Sequence, residues 1–157
     1  YSGTKAGNLA LYYAGVSYLH LGQYDAAIDY LKDFSPAGDV TPAMLAGVLG
    51  DAYSEKNDFD QALSNYRKAV SKSKNPLIGA YYLKKVGMLS ERQGDKEAAR
   101  EAYQTIKDEY SETPVANDID KYLVRVQGKE WMFRPVRQNI NKGLLCVKAQ
   151  RAFVFGN

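Results

Sequence analysis

The chain has 157 residues, a length that fits one domain of ordinary size and is sufficient to bury a hydrophobic core. No run approaches the ~18 consecutive apolar residues that a membrane-spanning helix needs, so the sequence predicts no anchor of its own. It begins at Tyr1 without an initiator methionine or a signal-peptide pattern. We interpret it as a processed or excised fragment, in which membrane attachment would require a segment upstream of this chain.

The net charge of +3 is unevenly distributed along the chain. Residues 1–130 carry 16 Lys and Arg against 18 Asp and Glu, a balance of −2, whereas residues 131–157 carry five basic residues and no acid. A basic tail is typical of proteins that contact nucleic acid or anionic membranes, but five charges spread over 27 residues are a weak signal for either. The single cysteine, Cys146, excludes an internal disulfide.

The predicted elements are seven helices joined by short loops, as antiparallel neighbours require. In chain order their expected bounds are 5–21, 24–34, 42–55, 58–73, 76–92, 95–109 and 114–127. Three of them start at a capping residue followed by proline, which is typical of a helix N-terminus. These starts are Thr41-Pro42, Asn75-Pro76 and Thr113-Pro114.

Four positions recur together in the first three helix pairs, at spacings of 35 and 37 residues. They are Gly15, Gly50 and Gly87; Gly22, Asn57 and Gly94; Ala27, Ala62 and Ala99; and Leu31, Tyr66 and Tyr103. A mid-helix glycine costs about 1 kcal/mol against alanine, which is tolerable where the missing side chain lets a second helix approach closely. Gly and Asn at the turn accept the left-handed conformation that ends a helix. The acids that follow are expected to cap the next helix or to interact favourably with its N-terminal dipole; they are Asp25, Asp58 with Asp60, and Asp95.

These positions resemble the tetratricopeptide repeat, a helix–turn–helix unit of about 34 residues. The matching segments are 11–31, 46–66 and 83–103, and the resemblance covers about residues 8–128. It implies an all-α fold, a right-handed superhelix of three helix pairs with a closing helix. We therefore predict a repeat domain at 1–128 and a basic, apolar C-terminal extension at 129–157.

Two segments resemble a narrower group. DEYSETPVANDIDKYLVRV, residues 108–126, is similar to the closing helix of bacterial envelope members of this superfamily. The opening, residues 1–31, resembles membrane-anchored tetratricopeptide proteins of Bacteroidetes that are similar to the ancillary subunit of the Sec translocon. This resemblance implies a place on the periplasmic side of the inner membrane, in the bacterial cell envelope, and chaperone-like contact with envelope proteins.

The helix period predicts which residues of the first helices line a concave groove once the four packing positions face inward. They are Tyr12, Tyr13, Val16, His20, Gly47, Asp51, Ser54, Glu55, Tyr81, Lys84, Lys85, Met88 and Arg92. This groove would be aromatic at one end, acidic in the middle and basic at the other, which suits a peptide of mixed character. In relatives that grip a C-terminal carboxylate, Lys and Asn occupy set groove positions. Those positions in the first repeat are Tyr12 and Val16, so we do not expect that kind of recognition.

No pattern in the sequence predicts catalysis or a cofactor. His20 and Cys146 are too few for a zinc site, and no glycine-rich phosphate loop is present. We therefore expect a non-catalytic protein-interaction module, a scaffold or a chaperone-like protein, that binds a peptide or protein segment in the groove. The competing interpretation of the groove is a solvated helix face without a ligand.

Two alternatives involve the tail. In the first alternative the protein is an architectural subunit, and its groove is filled by its own tail or by the tail of a sister chain in a homo-oligomer. An ordered tail would have to bury Trp131, Phe133, Phe153 and Phe155. In the second alternative the basic tail binds an anionic surface or nucleic acid. Of these two, we do not expect nucleic acid to be the partner. The shift in composition is also consistent with a tail foreign to the natural protein.

Overall fold

The structure, a computed structural model, describes residues 4–128. Over this range the chain forms seven α-helices and a 3-10 turn, Ala116–Asp118, without any strand. The helices are α1 (Lys5–His20), α2 (Tyr24–Asp33), α3 (Thr41–Glu55), α4 (Phe59–Lys72), α5 (Pro76–Arg92), α6 (Lys96–Glu109) and α7 (Ile119–Gln127). The predicted all-α class, with three helix pairs and a closing helix, is confirmed. None of the described helices is long and apolar enough to cross a bilayer.

The described helices, up to Val126, belong to one compact unit. The predicted extension, 129–157, lies outside the described residues, as do the expected burial of its aromatic side chains and its docking in a groove. The domain division at 128 therefore stays a prediction.

Each helix pair turns through one residue in the left-handed conformation. The φ angles are +74° at Gly22, +61° at Asn57 and +82° at Gly94. A side chain with a Cβ is strained in this region unless it is Asn or Asp, which explains why the repeat allows only Gly and Asn here. The predicted role of this set of residues is confirmed.

In each pair the mid-helix glycine lies beneath a large side chain of the second helix. The contacts are Gly15 with Leu31, Gly50 with Tyr66 and Gly87 with Tyr103. A Cβ at Gly87 would stand 2.7 Å from Cζ of Tyr103, which is shorter than any distance that two non-bonded carbon atoms adopt. The three alanines at the recurring second-helix position are completely buried as well. The close helix approach inferred from the repeat is confirmed.

The last helix covers the third pair. Ile119, Leu123 and Val126 of α7 are buried against Tyr103 and Ile106 of α6. Burying three side chains of this size stabilises the fold by about 1.5–3 kcal/mol each. The apolar face of the third pair is thus closed by α7.

Three predicted N-caps are present. Asp58 accepts a hydrogen bond from the backbone N–H of Gln61 at 3.2 Å, and Asp95 accepts one from that of Ala98 at 3.0 Å. The side chain of Asn75 accepts bonds from the backbone at the start of α5. Each satisfies N–H groups that the first turn of a helix leaves without intrahelical partners.

The caps predicted at Thr41 and Thr113 are wrong, whereas Asp25 and Asp60 lie in the first turns of α2 and α4, where an acid interacts favourably with the helix dipole. Thr41 does not cap α3, because its hydroxyl bonds to the backbone of Ala37 and Val40 occupies the N-cap position. Thr113 is buried, and its hydroxyl and backbone N–H both donate to the carbonyl of Tyr110. These two hydrogen bonds to one carbonyl stabilise a turn at this point of the chain. The closing helix therefore begins at Ile119 rather than at residue 114.

Candidate partner-binding face

The residues predicted for the groove lie on α1, α3 and α5, whose exposed side we call the first-helix face. Five of them line one depression with a volume of 420 Å³, which we call the α1–α3 depression. These five are His20, Asp51, Ser54, Glu55 and Lys85. Sequence reasoning missed the other lining residues, which are Leu19, Tyr24 and Tyr66.

Asp51 in this depression is already paired. Tyr66 donates its hydroxyl to Oδ1 of Asp51 at 2.7 Å, and Nζ of Lys85 lies 2.5 Å from the same oxygen. Burial raises the pKa of Tyr66 above its ordinary value, and the hydrogen bond to Asp51 raises it further. Burial by itself would lower the pKa of Lys85, but the hydrogen bond and charge of Asp51 raise it. The predicted acidic middle is therefore wrong for Asp51, whose charge is compensated by Lys85, and holds only for Glu55, which is exposed.

The third pair has a similar arrangement, although its acid occupies a different position of the repeat. Tyr103 donates to Oε2 of Glu91 at 2.8 Å, and Nε of Arg125 donates to Oε1 at 2.8 Å. The hydrogen bond from Arg125 is the largest cause of the lowered pKa of Glu91. In both arrangements an acid of a first helix accepts a hydrogen bond from a tyrosine of the second helix of the same pair. The same acid is also paired with a cation, which comes from the next helix pair for Asp51 and from α7 for Glu91. Because the two ion pairs each join residues 34 apart, they link successive units of the stack.

Three of the uncharged residues predicted for the groove, Gly47, Tyr12 and Val16, offer little or reduced surface to a partner. Gly47 is buried, and a Cβ there would overlap the ring of Tyr82 from α5, so the prediction that Gly47 lines a groove is wrong. Tyr12 is half-buried against Phe34, with ring centroids 5.2 Å apart, and burial is the main reason that its pKa is raised. Val16 is also half-buried. The aromatic end of the face thus offers less free surface than the sequence predicted.

All three cations of the predicted basic end lie over aromatic rings, and Lys85, which is paired with Asp51, has its Nζ 5.0 Å from the ring centre of Tyr81. The other two, Lys84 and Arg92, have no such acid partner among the described ion pairs. Nζ of Lys84 lies 4.7 Å from the ring centre of Tyr122, and the guanidinium of Arg92 lies 4.6 Å from that of Phe59. Cation–π contacts at exposed sites contribute about 0.5–1 kcal/mol each. These contacts fix the positions of the two cations without neutralising them.

Exposed apolar side chains form a further recurring set, which we call the apolar line. Leu9, Met44 and Tyr81 each stand six residues before the packing glycine of their helix, and they are 48%, 37% and 48% exposed. Tyr13 and Met88 on the same helices are also exposed. Sequence reasoning found Tyr81, Tyr13 and Met88 but missed Leu9 and Met44. The spacing of 35 and 37 residues, already visible in the other sets, would have identified them.

The first-helix face offers apolar and aromatic surface, one depression with an unpaired carboxylate and several fixed cations. Across residues 4–128, no group of three His, Cys, Asp or Glu side chains is placed to hold a metal ion.

Comparison with known proteins agrees with the architecture. A family model described as tetratricopeptide repeat matches residues 48–114, and a second with the same description matches residues 9–35. Among solved structures, the chain is similar to the crystal structure of MamA, with a TM-score of 0.55 and 22% sequence identity over 80% of this chain and 79% of that chain. At this identity the likeness shows the fold. No curated protein matches the sequence.

Proposed function

Because the chain carries tetratricopeptide repeats over residues 9–35 and 48–114, we propose that it is a non-catalytic interaction module whose first-helix face binds a peptide or protein segment. Proteins built from these repeats generally bind protein partners and are generally not catalytic. Stacked helical repeats present extended surfaces of this kind to their ligands. The proposal is therefore a specific form of the family's general role.

The apolar line is the observation that carries this proposal. Leu9, Met44 and Tyr81 occupy the same place in three successive units, yet none of them is buried in the core. Packing within the repeat does not explain an apolar residue at an exposed position in all three first helices. A segment that crosses α1, α3 and α5 in turn would cover all three, as apolar faces of bound peptides do in hydrophobic grooves.

A peptide selection tests this proposal. The full chain would be used to select binders from a displayed peptide library, and the affinities of the selected peptides would be measured by fluorescence anisotropy. We expect the double variant Leu9→Ser with Tyr81→Ser to weaken binding about tenfold or more, because truncating an interface anchor typically costs more than 1 kcal/mol. Leu21→Ser is the matched control, since Leu21 is exposed and apolar but lies outside the apolar line.

Either of two results would contradict the proposal. One is a set of selected peptides that bind the double variant as tightly as the unmodified chain. The other is a failure of the full chain to select any peptide above background, which would favour a solvated face or a purely architectural role.

We further propose that this module works on the periplasmic side of the inner membrane of a bacterium, in a protein similar to the ancillary Sec translocon subunit family. What supports this narrower proposal is the sequence resemblance of residues 1–31 and 108–126. Fractionation of the source cells tests it. Recovery with the inner membrane and digestion by protease added to spheroplasts are expected, whereas recovery in the cytosol would refute it.

A further inference from the structure

The α1–α3 depression is formed largely by the ends of two helices. Leu19 and His20 belong to the last turn of α1, and Ser54 and Glu55 belong to the last turn of α3. The ring of Tyr24 contributes a further part of the wall. With a volume of 420 Å³, the depression has room for one long side chain and its terminal group.

The electrostatic character of the depression is negative. Helix C-termini carry a negative partial charge of up to about −0.5, and those of α1 and α3 both lie at this depression. Backbone N–H groups of the two turns donate to the carbonyls of Leu19 and Ser54, which reduces this charge without reversing its sign. Glu55 adds a full negative charge and has no ion-pair partner among the described residues. These contributions have the same sign and come from different parts of the chain.

The positive charge at the edge of the depression is already compensated. Lys85 is bound to Oδ1 of Asp51, the oxygen that also accepts the hydroxyl of Tyr66. Neither donor uses Oδ2 of Asp51. The pair Asp51–Lys85 is therefore close to neutral, and Glu55 together with the helix ends determines the sign of the site.

We propose that the α1–α3 depression binds a cationic side chain, lysine or arginine, of the segment that lies on the first-helix face. The ammonium or guanidinium group takes its place between Glu55 and the two helix ends, with Oδ2 of Asp51 as a further acceptor. The aliphatic stem packs on Leu19 and on the ring of Tyr24. This inference rests on the proposed function, because it assigns one residue of the partner segment to a defined position.

A small-molecule titration tests the depression directly. Amide spectra of the ¹⁵N-labelled 157-residue chain would be recorded with increasing Nα-acetyl-arginine methylamide and, separately, with Nα-acetyl-citrulline methylamide, which has nearly the same shape without the charge. We expect saturable shifts of the amides of Leu19, His20, Ser54 and Glu55 with the arginine compound, and much smaller shifts with the citrulline compound.

Two variants make the test specific. Glu55→Gln removes the unpaired charge from an exposed position, and we expect it to weaken binding of the arginine compound about two- to fivefold, the range for exposed ion pairs. Glu112→Gln is the matched control, because Glu112 is an exposed acid that lies outside the α1–α3 depression, and we expect unchanged binding. Equal shifts with the two compounds, or equal affinity of the unmodified chain and Glu55→Gln, would overturn the inference.

Failure of this inference can be told apart from failure of the proposed function. If peptides bind through the apolar line but the arginine compound does not bind the depression, only the cationic site is refuted. If the arginine compound binds and substitutions in the apolar line have no effect on selected peptides, the cationic site stands and the proposed face is refuted.

Discussion

Two glycines of α5 have opposite consequences when alanine replaces them. At Gly87 a Cβ would stand 2.7 Å from Cζ and 2.8 Å from Cδ1 of Tyr103, which is 0% exposed and is held at its hydroxyl by Glu91. At Gly79 the nearest atom would be Cε1 of Tyr110 at 3.1 Å, in a half-buried side chain that can move by a few tenths of an ångström.

The free energies follow from these contacts. Alanine gains about 1 kcal/mol over glycine inside a helix. Overpacking costs about 1–3 kcal/mol, and the cost lies at the upper end at Gly87 because the ring of Tyr103 has no space to retreat. We therefore expect Gly87→Ala to lower the free energy of unfolding by about 2 kcal/mol. Gly79→Ala is expected to raise the free energy of unfolding by about 0.5 kcal/mol, because the gain in helix propensity exceeds the small cost of moving the side chain of Tyr110.

Urea unfolding followed by circular dichroism measures both variants. A loss of about 2 kcal/mol corresponds to a melting temperature lowered by about 4–8 °C for a chain of this size. The m-values should be unchanged, because the surface exposed on unfolding is the same. Equal stability of the two variants would refute the account, since it would mean that the ring of Tyr103 does not rest on the helix at Gly87.

Three further predictions concern single polar groups. Ser90 is buried and its hydroxyl has no hydrogen-bond partner in the described part of the chain, so Ser90→Ala should stabilise by about 1 kcal/mol more than the exposed control Ser64→Ala in urea unfolding. Equal gains would show that helix propensity explains both. Glu91→Gln should destabilise by about 1–2 kcal/mol at pH 7. The pKa of Glu91 is lowered in the folded state, so its contribution is present above the ordinary glutamate pKa and is lost as the pH falls through the folded value. The gap from the unmodified chain should therefore shrink at pH 3, and a constant gap would contradict the role of its charge. Asn75→Ala should cost about 1 kcal/mol through loss of the cap of α5, and thermal unfolding with no change would exclude that cap.

The sequence predicted the fold because each recurring residue type has a local reason. Gly22, Asn57 and Gly94 are required by a left-handed backbone, which depends only on the residues of the turn. Each packing glycine and the large residue that covers it recur at the same spacing. Both partners of the contact could therefore be identified from the repeat in the sequence. The wrong caps, Thr41 and Thr113, show the limit of such signals, because a threonine hydroxyl also bonds to preceding backbone in a turn.

The face was harder to predict, because its surface depends on contacts between successive units. The helix period assigned Gly47 to the groove-facing side of its helix, as it did Tyr12 and Lys84 on theirs. The period of one helix could not show that Tyr82 of the next pair covers Gly47. The pairing of Asp51 with Lys85 has the same origin, since the two residues belong to different units.

Photo-crosslinking on the first-helix face tests the central claim most directly. A photoreactive phenylalanine analogue would replace Tyr81 in the full-length natural protein, expressed in its source cells, and separately Tyr30 on the second helix α2, which is also exposed. We predict that irradiation yields a discrete adduct with a partner at position 81 and not at position 30. Adducts only at position 30, or the same adducts at both positions, would contradict binding through this face.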